Sequence, residues 1–215
     1  MMIILLLLII FIFSEAMDWL MLLLFFLLIA FCCLDVCYFL RAAAVFLWAW
    51  FQRPIKDITA EQLIFSRVST SDIDLCHMNN ARYLRECDFA RFSLLTRNGV
   101  FSALRALKAS AVVGASTARY RRPLCLGEAF GLRSRVVCWD DKAFYLEHRF
   151  ISSKDHMVSA VVFIKMNIIR TSPENIMEHL CKRKVERVEV PEDLQHWISF
   201  MSVNSESLRA ESKLS

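Results

Sequence analysis

An α+β domain carried behind a long apolar amino-terminal segment is the architecture this sequence predicts, and three observations carry it. Apolar residues recur at helical spacing from Asn80 to Asn98, and four later runs stay apolar or alternate over strand lengths between turn residues. Residues 1–51 hold almost nothing polar beyond Ser14, Glu15, Asp18, Asp35 and Arg41. One long helix with a single strand ahead of it and four behind lets a sheet wrap the helix and bury it.

The apolar segment comes first. Trp19–Leu34 carries no charge, and with Asp35 tolerated near an interface the run extends through Leu40 to Arg41, close to the roughly 20 residues that cross a bilayer core. Met1–Phe13 has the length of a signal sequence but no basic start and no Ala-x-Ala exit, so a retained membrane anchor is expected. Secretion after cleavage is the alternative. Glu15 and Asp18 are expected to keep Met1–Phe13 from joining Trp19–Leu40 in one continuous helix at the bilayer centre. They precede the span and Arg41, Arg53 and Lys56 follow it, which places the rest of the chain in the cytosol.

Composition narrows the classes further. Three of the eight cysteines lie in the apolar segment, and the other five are scattered with no Cys-x-x-Cys and no His at ligand spacing. Neither a disulfide framework nor a zinc site is expected, and the sequence asks for no metal or cofactor. The net charge of +4 divides into −1 over residues 1–55 and +5 over the remainder. That balance suits an anionic ligand or an anionic membrane surface and does not suggest a nucleic-acid protein.

Gln52-Arg53-Pro54 ends the apolar segment, and Leu63–Val68 reads as a strand leading into a motif loop. A helix is expected from Asn80 or Ala81 to the natural stop at Asn98-Gly99, then a shorter one over Val100–Lys108. Strands are expected over Ala111–Tyr120, Ala129–Trp139, Ala143–Ile151 and Met157–Asn167, joined as an antiparallel meander. Pro173–Lys182 and Pro191–Phe200 read as peripheral helices, and Asn204–Ser215 as a loose polar tail. The chain therefore divides into an anchor over 1–52, a folded domain over 53–200 and a tail over 201–215.

Chemistry concentrates in Ser71–Leu84, where Asp72, Asp74, His77, Asn79 and Asn80 crowd a short loop that runs into the helix. Asn at a helix start caps orphan N–H groups, and the positive end of the helix stabilises negative charge placed before it. Asp74 is the leading candidate to handle water, Asp72 the runner-up, and either is alternatively a turn residue. His77 polarises a carbonyl or fixes the loop, while Asn79 and Asn80 position substrate or cap the helix. The N–H groups of Asn80, Ala81 and Arg82 are the candidate oxyanion donors, and Tyr83 packs in the core beside an acyl channel. Phe89, Phe92, Phe101, Phe144 and Phe150 read as core. Cys76 lies next to His77, but neighbours on an extended loop point apart and no third group orients the pair. Arg119, Arg121 and Arg122 are either solvated or meet phosphates.

The run Asp-x-Asp, then His-x-Asn-Asn-Ala-x-Tyr-Leu and Ala90-Arg91, resembles the hotdog-fold thioesterases of the 4-hydroxybenzoyl-CoA and acyl-CoA type. The likeness extends from about Ile64 to Trp197. It implies an antiparallel sheet wrapped around one long helix, a homodimer, and hydrolysis of an acyl-CoA thioester with Asp74 as the active carboxylate. Two departures stand out: only Leu75-Cys76 separate Asp74 from His77 where the family has an extra residue and a Gly, and Asp88 stands where relatives often carry Glu. A non-catalytic acyl or lipid-binding module anchored at the endoplasmic reticulum is the alternative reading. A hydratase on this fold is disfavoured because Asp-x-Asn-Pro-x-His is missing.

Overall fold

A computed structural model of the protein describes residues 2–183 and 185–212, those from 2 to 16 by their backbone alone. The chain forms two compact units, Met1–Val45 and Phe46–Ser215.

The first unit is helical. Helix α1 (Met2–Cys33) runs without interruption past Glu15 and Asp18, so these acids do not break the backbone helix expected to stop there. The break falls later, at Leu34-Asp35, where α2 (Val36–Phe51) begins and the Asp35 carboxylate accepts from the Tyr38 N–H at 3.1 Å. A short acid at a helix start satisfies a donor that has no carbonyl partner, and the expected single helix over Trp19–Leu40 is replaced by a capped bend. From Met17 onward the leucines and phenylalanines of α1 are exposed. Over residues 17–51 no single helix is long and apolar enough to cross a membrane, whereas Met17–Cys33 and Val36–Phe51, bent by 86°, meet that requirement as a pair.

The second unit starts at Phe46, seven residues before the start at residue 53 read from composition. Phe46 stacks on Phe92 at 5.0 Å and meets Phe101 at 5.5 Å, and Ala49 is buried. These contacts tie the last turns of α2 to the domain.

Strand β1 (Gln62–Arg67), hairpin β2 (Ile73–Asp74) and β3 (His77–Met78), helices α3 (Asn80–Arg97) and α4 (Val100–Ala106), and strands β4 (Ser110–Tyr120), β5 (Ala129–Trp139), β6 (Ala143–Ser152) and β7 (Val158–Ile169) follow in order. The five long strands form one antiparallel sheet in the order β1-β5-β6-β7-β4. Only β5-β6-β7 is a meander, because β4 pairs with β7 and not with β5. The reason lies in the connection: Arg121–Glu128 is too long for a tight hairpin and is anchored elsewhere, through Met78 N–H to the Leu124 carbonyl (2.8 Å) and Gly127 N–H to the Val68 carbonyl (2.9 Å).

Alternation decides what each strand buries. Phe130, Leu132, Leu146, Phe150, Val162 and Ile164 face inward, and Tyr83, Cys87, Ala90 and Leu94 of α3 pack into the same cluster. Each large side chain so buried contributes roughly 1.5–3 kcal/mol relative to exposure. Phe89, Phe144 and Phe150 are buried as expected, while Phe92 and Phe101 are half-buried. Helix α3 ends at Asn98, and Gly99 (φ +82°) takes the left-handed conformation that turns the chain into α4.

Two helices complete the unit. Helix α5 (Pro173–Cys181) has Ser172 as its cap and Pro173 in its first turn. Helix α6 (Glu192–Glu211) lays Leu194 and Trp197 on Val137, Cys138, Ala143 and Tyr145 of the outer sheet face. It continues through Glu211, so the stretch from Asn204 expected to be a loose tail is helical, and residues 213–215 of that tail lie outside the described residues.

Candidate active site

A two-residue turn sets the local geometry. Asp74 and His77 become cross-strand partners flanking a two-residue turn, and Leu75 takes φ +52° to close it. A non-glycine residue in that region costs about 1–2 kcal/mol, and this one is 97% exposed. The shortened loop thus closes as a strained hairpin that brings Asp74 and His77 side by side.

Asn79 then joins the hairpin to the helix. Its Nδ2 donates to Asp74 Oδ2 at 2.8 Å, and its Oδ1 accepts from the Ala81 N–H at 2.8 Å. His77 Nδ1 stands 3.4 Å from Asp74 Oδ1 and 3.2 Å from its neighbour's Met78 carbonyl. Asp74 is half-exposed, so it keeps access to water and to a ligand.

Asp72 does something else. It is buried, accepts from the Ser69 N–H (3.0 Å) and Ser69 Oγ (2.5 Å), and its carbonyl accepts from the Asn79 N–H at 2.8 Å. This is the turn-residue alternative realised, and Asp72 shapes the loop from behind.

The candidate oxyanion donors do not stand alike. Ala81 N–H is taken by Asn79 Oδ1 and Arg82 N–H by the Asn79 carbonyl at 2.9 Å. Asn80 N–H alone of the three has no partner among the described residues. The Asn80 side chain is exposed, and its carbonyl accepts from the Tyr120 hydroxyl at 2.9 Å. Tyr83 is a core residue packed on Tyr120 (5.2 Å) and Phe150 (4.9 Å), and burial pushes its hydroxyl pKa up.

A loop on β4's far end walls the site. His77 bridges to Cys125, and Glu128 binds the Cys125 N–H at 3.0 Å and Ser152 Oγ at 2.5 Å. Burial acts to raise the Glu128 carboxyl, but these hydrogen bonds and the Arg122 charge overcome it and hold its pKa below the usual value. Arg122 is ion-paired with Asp155 and Glu128, which removes it from the set of free arginines. Asp88 likewise pairs with Arg91 at 2.6 Å on the same helix.

Two cavities lie outside this corner. One, of about 590 Å³ on the outer sheet face, is lined by Arg119, Arg121, Arg149, Glu147, Phe163 and Trp197 among others. The other, of about 1030 Å³, lies at the opposite end of α3. The sequence hinted at the arginines of the first; nothing signalled the second, whose walls come from two separated stretches, residues 46–54 and 96–111.

A Ser–His pair also escapes sequence reading, since its members are 14 positions apart. Ser134 Oγ and His148 Nδ1 lie 2.7 Å apart, but both are fully buried and out of a ligand's reach. Burial, with the nearby Arg91 charge, lowers the His148 pKa to about 3.

A helix wrapped by a five-stranded antiparallel sheet, with a carboxylate tied to the helix start, defines the hotdog thioesterase-like class. The thioesterase-like superfamily model matches residues 68–198, and the chain belongs to that family. Protein THEM6 of Danio rerio is 60% identical over 181 residues, covering 84% of this chain and 90% of the relative. Protein THEM6 of Xenopus laevis is 49% identical over 186 residues, covering 86% and 90%. Among solved structures, the probable thioesterase YbaW from Escherichia coli superposes with a TM-score of 0.52 at 23% identity, over 58% of this chain and 98% of that one, a likeness of fold.

Proposed function

We propose that this protein hydrolyses an acyl-CoA thioester to the free acid and CoA at a membrane surface. The observation that carries the reading is the hydrogen-bonded line from Asp74 through Asn79 to the first turn of α3. Asp74 takes a proton from water as the water oxygen attacks the thioester carbon. The carbonyl oxygen becomes negative before the helix start, where the Asn80 N–H and the helix dipole stabilise it. Collapse breaks the C–S bond and the departing thiolate recovers the proton.

Charge supports CoA as the leaving group. Arg119 and Arg121 face one side of β4 while Tyr120 between them faces the other and touches Asn80, so phosphate and sulfur positions meet around one strand end. A homodimer is part of the proposal: β4 is an outer strand with half-exposed Val112 and Val113, which a second copy pairing along that edge would cover. The apolar helices support anchoring at a membrane; the endoplasmic reticulum, with the domain in the cytosol, is the placement proposed, and secretion after cleavage is the competing one. Release of thiol from a panel of acyl-CoAs by the full-length protein tests the activity.

A non-catalytic acyl-binding module is the second reading. It is favoured by the Ala81 and Arg82 N–H groups being already engaged, and binding of acyl-CoA without thiol release would select it.

A further inference from the structure

The larger cavity has the composition of an amphiphile site. Its apolar walls include Phe46, Ala49 and Trp50 from the end of α2, Phe101 and Leu104 from α4, and Ala111 from β4. Arg97 and Arg105 stand on its polar margin. The Arg97 guanidinium is engaged by the Arg53 carbonyl (3.2 Å) and Gln62 Oε1 (3.0 Å), whereas Arg105 is exposed and has no carboxylate partner among the described residues. Arg53 and Lys108, which flank lining residues in sequence, are exposed as well and pair with no carboxylate among the described residues.

The surface beside the groove matches a bilayer interface. Trp48, Trp50 and Phe51 are 68%, 73% and 85% exposed, and aromatic rings interleaved with arginine and lysine are what the headgroup region selects. Volume is sufficient, since about 1030 Å³ is at the upper end of small-ligand pockets. Position separates the groove from the chemistry: α3 has 18 residues, about 27 Å at the rise of a helix, and the groove lies at its carboxyl end while Asp74 lies at its start.

We infer that this groove holds one acyl chain of an anionic bilayer phospholipid, with the lipid phosphate against Arg105. The inference rests on the membrane placement proposed above. It gives the domain a second attachment to the bilayer, through a bound lipid.

Full-length protein in phosphatidylcholine nanodiscs containing a diazirine-bearing phosphatidylserine, irradiated and mapped by mass spectrometry, tests the assignment. Adducts are expected on the Phe101–Arg105 turn and Trp50. Ser102→Trp, which fills the groove from an exposed position, should abolish them. Arg105→Glu should cut phosphatidylserine labelling about tenfold while labelling by a diazirine phosphatidylcholine persists. Adducts confined to residues 2–45, labelling indifferent to both variants, competition by soluble palmitoyl-CoA, or crosslinks joining two copies through the groove would each overturn it. Alkaline carbonate extraction separates the two levels: release of the full chain removes the membrane reading and this inference together, whereas retention without groove adducts removes this inference alone.

Discussion

Asn79 binds Asp74 with one end of its amide and the first turn of α3 with the other, each at 2.8 Å. One side chain therefore fixes the carboxylate relative to the positive end of the helix. Asn79→Ala should cost about 1 kcal/mol through the lost cap and also lower turnover, because Asp74 loses its donor. Asn79→Asp separates the two roles. It keeps a capping oxygen and the stability but sets two carboxylates side by side, which raises the pKa of one of them and moves the acid limb of the rate profile to higher pH. Denaturant unfolding and a pH–rate profile check both.

Leu75 closes the motif hairpin with φ +52°. Leu75→Gly is expected to leave stability within about 1 kcal/mol of the parent, since relief of left-handed strain offsets the greater flexibility of glycine in the unfolded chain. Leu75→Ile should destabilise by about 1 kcal/mol or more, because a β-branched side chain tolerates this region poorly. Equal effects of the two in urea titrations would contradict the geometry.

His148 is buried with its Nε2 unpartnered and its Nδ1 on Ser134, near Arg91. Its pKa is lowered from an ordinary 6.5 to about 3 in the folded chain, so the unfolded state binds the extra proton first. The stability it contributes is complete above pH 6.5 and is lost as pH falls towards 3. A loss of about 2 kcal/mol between pH 7.5 and 5 is expected from this group alone. His148→Gln should flatten that slope in acid titrations followed by circular dichroism.

Phe46 contributes to the domain despite lying inside the apolar helix. A chain cut to 46–215 should unfold at higher denaturant concentration than one cut to 53–215, which forfeits the stacking on Phe92 and Phe101 and the burial of Ala49. The difference should be about 2 kcal/mol or more. Coincident unfolding curves would place the boundary at Arg53 after all.

Much of this fold was legible because periodicity survives in the residues: α3, the strand β5 and the stop at Gly99 lie where spacing and turn chemistry put them. The strand order was not, since nothing local reports that Arg121–Glu128 ties to Val68 and Met78 and so carries β5 away from β4. Helix α6 beyond Asn204 escaped because its polar sequence carries no apolar stripe, and the residues that pack on the sheet, Leu194, Trp197, Ile198 and Met201, all lie before it. Of the site, the proximity of Asp74, His77 and Asn79 was readable from a capping asparagine behind a short loop. That Asp72 turns inward to Ser69, and that Asn79 occupies two of the three candidate oxyanion donors, required coordinates.

Thioester hydrolysis by Asp74→Asn in the full-length protein tests the central claim most directly. The substitution keeps the shape of the side chain and removes the base, so thiol release should fall by a factor of about 100 or more with the unfolding transition unmoved. Hydrolysis at the parent rate would contradict the assignment of Asp74 as the residue that activates water.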